Sequence, residues 1–299
     1  MSGLFCINVH RQKMKFSSFT ILLLEAMLLL GLSGCAFKTV ERSKNLKYTG
    51  ADLASKKERR TLNVFAPKKR SSPSNVFLFV HGGNWNSGHK GLYNFFGNRM
   101  SRKEVVVVII DYPLTPEANY NDMATAVAKA VIWVKKNIEG YGGNPDKIFV
   151  SGHSAGGHLA SLVSLRNEYF DTLGTTNPIT GTILIDAAGL DMHGYLTQKK
   201  PPEKHSYLKT FTRNPEEWKA ASPLCHLHEG MPSMLIFLGE KTHSSIIKSH
   251  EKFVASLRDF EPNPRYHILK HRGHVSMISQ FVKSRNPRYQ EIIEFMNDH

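Results

Sequence analysis

Cysteine is scarce in this sequence: Cys6, Cys35 and Cys225 are the only three among 299 residues. So small a number predicts no disulfide framework. Internal repeats and low-complexity segments are lacking as well, which argues against a repeat architecture. With 41% apolar residues, the chain is long enough for one α/β domain of about 250 residues and a short leader.

Acidic residues are outnumbered by basic ones, 25 against 39, so that the formal net charge is +14. The basic residues cluster in segments 38–70 and 199–209. No recognised nucleic-acid-binding motif accompanies this charge, and we therefore expect no nucleic-acid partner. The basic clusters are interpreted as solvated surface that can also lie against an anionic membrane.

A long uninterrupted apolar segment is lacking near the N-terminus, because segment 21–32 is short for a bilayer span and contains Glu25. This segment ends in Leu-Ser-Gly-Cys at residues 32–35. Together with the basic residues before it, the pattern resembles a bacterial lipoprotein signal peptide with its lipobox. An uncleaved anchor helix is the alternative. The preceding basic residues are Arg11, Lys13 and Lys15.

The lipobox resemblance implies a processed and lipidated protein. Residues 1–34 are expected to be removed and Cys35 to carry the lipid, which attaches the chain to a membrane of the bacterial cell envelope. Ala36, rather than aspartate, follows Cys35. This is similar to lipoproteins on the periplasmic side of the outer membrane, if the host is Gram-negative. Residues 35–60 are interpreted as a basic tether and residues 61–299 as the α/β domain.

Two glycine-containing motifs stand in the order that an acyl-transfer enzyme requires. Gly-His-Ser-Ala-Gly at 152–156 follows an apolar run and precedes a helical pattern, so Ser154 is predicted on a tight strand-to-helix turn, the nucleophile elbow. His-Gly-Gly-Asn-Trp at 81–85 also follows an apolar run. Backbone N–H groups at these motifs are predicted to bind the oxyanion of the transition state. The predicted donors belong to Gly82, Gly83 and Ala155.

From residue 61 onward, strand and helix patterns alternate as in a mostly parallel sheet with helices on both faces. Residues 192–231 are less regular and are interpreted as a small cap insertion over the pocket. Predicted strands cover 61–65, 75–80, 105–110, 147–150, 182–185, 233–238 and 266–269, and predicted helices cover 118–138, 157–165, 246–257 and 289–296.

With these features in place, the chain resembles the α/β-hydrolase esterase/lipase family, in the group of hormone-sensitive-lipase-like, kynurenine formamidase and feruloyl-esterase-like enzymes. Segments 111–117 and 141–148 are close to the family's D-Y-R-L-A-P-E and Y-G-G-D-P-x-R-I stretches. The resemblance implies the α/β-hydrolase fold and serine chemistry on a small-molecule ester, with no cofactor and no metal. Segment 273–278 is similar to the one that carries the catalytic histidine, which implies that His274 is the base.

The acid of the triad is where the sequence departs from the family. The turn after the seventh strand usually carries an aspartate, but this chain has Thr242 there. Asp186, at the end of the predicted strand 182–185, is the preferred acid, and Glu240 is the fallback. Asp191 resembles a structural aspartate. A Ser–His dyad, with Asp186 merely capping backbone amides, is the remaining alternative.

These residues predict a membrane-tethered serine hydrolase that cleaves esters of small or medium acyl groups. An arylformamidase or amidase with the same chemistry remains open, as does a catalytically idle binding lipoprotein. Five further side chains near the motifs are interpreted as structural: His81 braces the oxyanion loop, His153 and His158 belong to the elbow and the helix start, and Trp85 and Tyr112 are expected to be packed rather than to line the pocket.

Overall fold

A computed structural model of the protein describes residues 39–49, 59–68 and 72–299. The predicted signal peptide, the lipobox and Cys35 lie outside these residues. Among the residues described, no helix has the length and apolar character needed to cross a membrane.

Within these described ranges, eight strands form one sheet in the order β1-β2-β4-β3-β5-β6-β7-β8. Strand β2 runs antiparallel to both of its neighbours, and all pairs from β4 to β8 are parallel. Helices lie between successive parallel strands, which confirms the predicted α/β-hydrolase fold class. The strands are β1 Val40–Lys47, β2 Thr61–Pro67, β3 Ser74–Val80, β4 Val106–Ile110, β5 Gly143–His153, β6 Ile179–Ile185, β7 Ser233–Gly239 and β8 Arg265–Leu269.

The first strand corrects the interpretation of residues 35–60 as a tether, which is wrong for residues 40–47. Strand β1 pairs antiparallel with β2, from Val40 opposite Pro67 to Lys47 opposite Thr61. It lies at the sheet edge, where charged side chains reach water, so its sequence has no apolar run to reveal it. Just after it, Tyr48 is buried and donates a hydrogen bond to the backbone oxygen of Asp111 at 2.7 Å.

Apolar side chains on the central strands pack on both faces of the sheet. On β3, for example, Leu78 and Phe79 belong to the cores on opposite faces. Burial on both faces explains why these strands read as continuous apolar runs in the sequence. Trp85 and Tyr112 are buried in the larger core, as expected for packed side chains.

The helices follow the predicted alternation, and the longest one has a complete N-terminal cap. The Asn119 side chain accepts hydrogen bonds from backbone N–H groups at the start of helix α2, and the Asp122 carboxylate accepts one from the backbone N–H of Asn119. The predicted helix over 118–138 is thus confirmed as Tyr120–Asn137. The helices are α1 Asn94–Ser101, α2 Tyr120–Asn137, α3 Ala155–Leu165, α4 Glu168–Asp171, α5 Met192–Lys199, α6 Ser206–Phe211, α7 Pro215–Ala220, α8 Ser244–Leu257, α9 His274–Ser279 and α10 Arg288–Asp298.

The segment 192–231 is more regular than its sequence suggests, because it contains the short helices α5, α6 and α7. Side chains cap all three: Asp191 accepts from Gly194 N at the start of α5, His205 accepts from Tyr207 N at the start of α6, and Asn214 accepts from Glu216 N at the start of α7. Helices of six to eight residues are too short to display a clear apolar periodicity.

Candidate active site

Strand β5 ends directly before Ser154, and helix α3 begins directly after it. Ser154 has φ 56° and ψ −124°, a strained backbone conformation for a residue with a side chain. The glycine two residues later permits this turn, because a Cβ on Gly156 would lie 2.1 Å from the backbone oxygen of Val80. The strand, turn and helix therefore present the Ser154 hydroxyl at the carboxyl end of the sheet.

Three side chains from separate segments of the chain form a hydrogen-bond relay. The Ser154 hydroxyl lies 2.9 Å from Nε2 of His274, and Nδ1 of His274 lies 2.6 Å from a carboxylate oxygen of Asp186. Because Asp186 accepts from Nδ1–H, the imidazole is held in the tautomer whose Nε2 can accept the serine proton. The structure thus brings together the predicted nucleophile, the predicted base and the preferred acid.

Asp186 is fully buried and held by several donors. One carboxylate oxygen accepts from the backbone N–H of Gly239 at 2.8 Å, and the other accepts from the hydroxyl of Thr242 as well as from His274. Burial acts to raise the pKa of Asp186, but the hydrogen bonds from His274, Gly239 and Thr242 outweigh it and keep the pKa below its usual range. The carboxylate is therefore ionised and can stabilise a protonated His274.

Thr242 explains how the departure from the family pattern is accommodated. It occupies the turn after β7, and its hydroxyl turns toward Asp186 at the end of β6. Sequence reasoning treated Thr242 only as a missing aspartate and did not identify this contact. The signal was a hydrogen-bond donor at the expected acid position, which suits a carboxylate supplied by the neighbouring strand.

The other two carboxylates considered from the sequence lie outside the relay. Glu240 accepts a hydrogen bond from the backbone N–H of His271 at 2.7 Å and is exposed. Asp191 caps helix α5 through Gly194 and pairs with Lys252 at 2.6 Å. The geometry brings Asp186, not Glu240, to His274.

Two of the predicted oxyanion donors, Gly82 and Ala155, border Ser154. A Cβ on Gly82 would lie 3.2 Å from the Cβ of Ser154, which places this backbone against the nucleophile. Ala155 is the first residue of α3, where backbone N–H groups have no partner within the helix. Gly83 has φ 133°, a conformation that favours glycine. His81 accompanies this loop, with Nδ1 2.8 Å from the backbone oxygen of Gly82.

The cap packs directly on the oxyanion loop. The ring of Phe211 in α6 contacts the ring of Trp85 at 4.9 Å between centroids. The hydroxyl of Tyr207 donates to the side-chain oxygen of Asn84 at 3.0 Å. Trp85 in turn donates from its indole N–H to His158 at 3.2 Å. Residues 192–231 thus border the site on the side of the loop 81–85.

Three side chains of types that bind metals meet at this site. His153, Asp186 and His274 offer ligand atoms that lie within 4.8 Å of one another. Each already has a hydrogen-bond partner, because Asp186 and His274 bond to each other and Nε2 of His153 lies 3.1 Å from the backbone oxygen of His274. The serine relay accounts for the clustering of these groups.

Solved structures of esterases have the same architecture. Esterase B from Lactobacillus rhamnosis has a TM-score of 0.68 at 18% identity, with 94% of this chain and 92% of that chain covered. A truncated carbohydrate esterase from gut microbiota has a TM-score of 0.74 at 17% identity, with 89% and 99% covered. At this identity the similarity establishes the fold.

Sequence relatives extend over most of the α/β domain. The esterase LipQ of Mycobacterium tuberculosis is 30% identical over 233 residues, which cover 74% of this chain and 54% of LipQ. The isoprenylcysteine alpha-carbonyl methylesterase ICME of Arabidopsis thaliana is 23% identical over 236 residues, which cover 74% of this chain and 55% of that protein. The chain spans about half the length of these relatives. The BD-FAE family model matches residues 62–257, more than half of the chain, and the protein therefore belongs to the BD-FAE family of α/β hydrolases.

Proposed function

We propose that this protein is a serine hydrolase that cleaves carboxylic esters of small or medium acyl groups through an acyl-Ser154 intermediate. The observation that carries the proposal is the unbroken relay from Ser154 through His274 to Asp186, with distances of 2.9 and 2.6 Å. The names of the relatives, which include esterases and a methylesterase, support the choice of an ester as the substrate.

The first half-reaction transfers the acyl group to the enzyme. The Ser154 oxygen attacks the ester carbonyl carbon while Nε2 of His274 takes the hydroxyl proton. The carbonyl oxygen becomes an oxyanion, which accepts hydrogen bonds from the backbone N–H groups at 82–83 and Ala155. When the tetrahedral intermediate collapses, the bond to the alkoxy oxygen breaks and His274 gives its proton to the leaving alcohol.

The second half-reaction returns the enzyme to its starting state. Water attacks the acyl-serine carbonyl carbon, and His274 again takes a proton from the nucleophile. The second tetrahedral intermediate releases the carboxylic acid, and the Ser154 oxygen recovers the proton from His274. Asp186 stays ionised throughout and stabilises the imidazolium that forms twice in each cycle.

A catalytically idle binding protein is the less favoured function. That hypothesis was motivated by the altered turn after β7, but Thr242 in that turn donates to the carboxylate of Asp186. The turn therefore supports an acid delivered from β6, and its departure from the family pattern no longer argues against catalysis.

Hydrolysis of p-nitrophenyl acetate, butyrate and octanoate by the full-length protein in detergent tests the proposal. We expect turnover, together with stoichiometric labelling of the wild type by a fluorophosphonate probe, because labelling requires an activated serine. The chain-length trend in kcat/KM measures the acyl pocket. A p-nitroanilide series run in parallel tests amide cleavage. Absence of both ester turnover and labelling would overturn the esterase proposal.

We further propose that the enzyme is held at a membrane of the bacterial cell envelope by a lipid on Cys35. The support is the sequence pattern of segment 21–35, which lies outside the residues that the structure describes. A lipid chain together with the basic segments supplies the two signals that stable attachment needs.

Metabolic labelling with an alkyne fatty acid in a bacterial host measures this lipidation. We expect label on the wild type and on the Cys6→Ser variant, and none on the Cys35→Ser variant, because only the lipobox cysteine is acylated. Cys6→Ser is the matched control for loss of a thiol. Label that persists in Cys35→Ser, or an unlabelled wild type, would contradict the proposal.

A further inference from the structure

We infer that His153 is a positioning residue for His274: it holds the backbone of the proposed base and supports its ring. The inference rests on the proposed serine hydrolase function and deepens it. It assigns to the residue next to the nucleophile a role in aligning the base, beyond its place in the elbow.

His153 is built into the most constrained part of the site. It is the last residue of β5, immediately before Ser154, and it lies opposite Ile185 in the parallel ladder to β6. The side chain is buried, with 6% exposure. Its position is therefore set by the same strand that carries the nucleophile and by the strand that carries Asp186.

The contact with the base has two parts. Nε2 of His153 donates to the backbone oxygen of His274 at 3.1 Å. The two imidazole rings lie 4.6 Å apart between centroids, with 32° between their planes. His274 is the first residue of α9 and follows the loop after β8, the last strand of the sheet. The hydrogen bond from His153 joins this loop to the nucleophile strand across the site.

The surroundings of His153 leave little room for another arrangement. A Cβ on Gly82 would lie 3.1 Å from Nδ1 of His153 and 2.8 Å from its backbone oxygen. The ring therefore lies against the oxyanion loop as well as against His274. A side chain at this position can affect the nucleophile, the base and the oxyanion donors through direct contact.

The protonation state of His153 suits this role. Burial lowers its pKa to about 4, and the neighbouring His274 ring acts in the same direction, although the hydrogen bond to the His274 backbone and the charge of Asp186 oppose both. His153 is therefore neutral at neutral pH and donates from Nε2–H. A neutral ring places no second positive charge beside His274 when the base takes up the serine proton.

The test compares two amide side chains that differ in reach. In His153→Gln the amide nitrogen can occupy the place of Nε2, whereas in His153→Asn it reaches only the place of Nδ1. We expect kcat of the Asn variant to fall about 10- to 100-fold with KM changed less than about threefold, because misplacing the base affects the transition state more than substrate binding. The Gln variant is expected to keep a kcat at least about tenfold above that of Asn.

Titration with the fluorophosphonate probe gives the concentration of active sites, so that kcat is compared per functional site. A role limited to folding predicts a lower Tm and fewer active sites in both variants, with an unchanged kcat per site. That result, or equal kcat values for Gln and Asn, would overturn the inference. If the Asn variant does not fold, a Gln variant with unchanged kcat and Tm supports the inference, and one with a kcat below a tenth of wild type contradicts it. A wild type without turnover instead defeats the proposed function.

Discussion

Replacing Ser154 by alanine is expected to lower kcat for ester hydrolysis on the order of 10⁶-fold, with little change in KM. The substitution removes the oxygen that forms the covalent intermediate, so the acyl-enzyme route is lost. The oxyanion donors and substrate binding leave a residual rate above that of water. Initial rates on p-nitrophenyl butyrate, measured beside a mock purification, report the size of the loss.

A double variant tests whether Ser154 and His274 depend on each other. Ser154 and His274 act as one unit, because the base has no proton to take when the serine is absent. We therefore expect the Ser154→Ala, His274→Ala and double variants to show similar residual rates. Losses that multiply in the double variant would show that the two side chains act independently, contrary to the proposed mechanism.

Replacing Asp186 by asparagine is expected to lower kcat about 10³- to 10⁴-fold, because an amide can stabilise the wrong tautomer of His274 and cannot balance its positive charge. The fold should persist, since the amide oxygen can still accept from Gly239 N. Glu240→Gln is the matched control, and we expect it to change kcat less than about twofold, because Glu240 contacts the His271 backbone instead of the base. Steady-state kinetics of both variants decide the assignment, and a large loss in Glu240→Gln alone would reverse it.

A second substitution tests whether an acid in the turn after β7, the family's usual position, can replace Asp186. The hydroxyl of Thr242 lies 3.4 Å from Nδ1 of His274, so an aspartate there can reach the base. In the Asp186→Asn background, Thr242→Asp is expected to recover at least about tenfold in kcat through the new carboxylate. No recovery would show that the β6 position cannot be replaced by its neighbour.

The sequence predicted most of the sheet because the parallel strands are buried on both faces, as in Val106–Ile110, where every residue is buried. It failed at β1, whose exposed edge allows charged residues. It also failed in the cap, where the helices are too short for a periodic pattern. Strand β5 begins earlier than predicted, at Gly143, because its first residues are polar.

For the site, local motifs were sufficient to predict Ser154 and its elbow, because strand, turn and helix are adjacent in the chain. His274 and Asp186 depended on the resemblance to the family. The roles of Thr242 and His153 were not predicted, because each depends on contact between segments far apart in sequence. His153 and His274, for example, are 121 residues apart, and no local pattern records that their rings meet.

The strand order places the nucleophile, the oxyanion loop and the acid at the ends of neighbouring strands. Strand β5, which carries the nucleophile, pairs directly with β3, which precedes the oxyanion loop, and with β6, which precedes Asp186. An acid after β7 is two strand spacings from the nucleophile, whereas an acid after β6 is only one, or about 4.8 Å along the sheet. Any change in twist between β6 and β7 therefore shifts the hydroxyl of Thr242 but leaves the nucleophile and the acid on adjacent, hydrogen-bonded strands. In this protein, the parallel ladder between β5 and β6 sets the spacing between Ser154 and Asp186, the two ends of the relay.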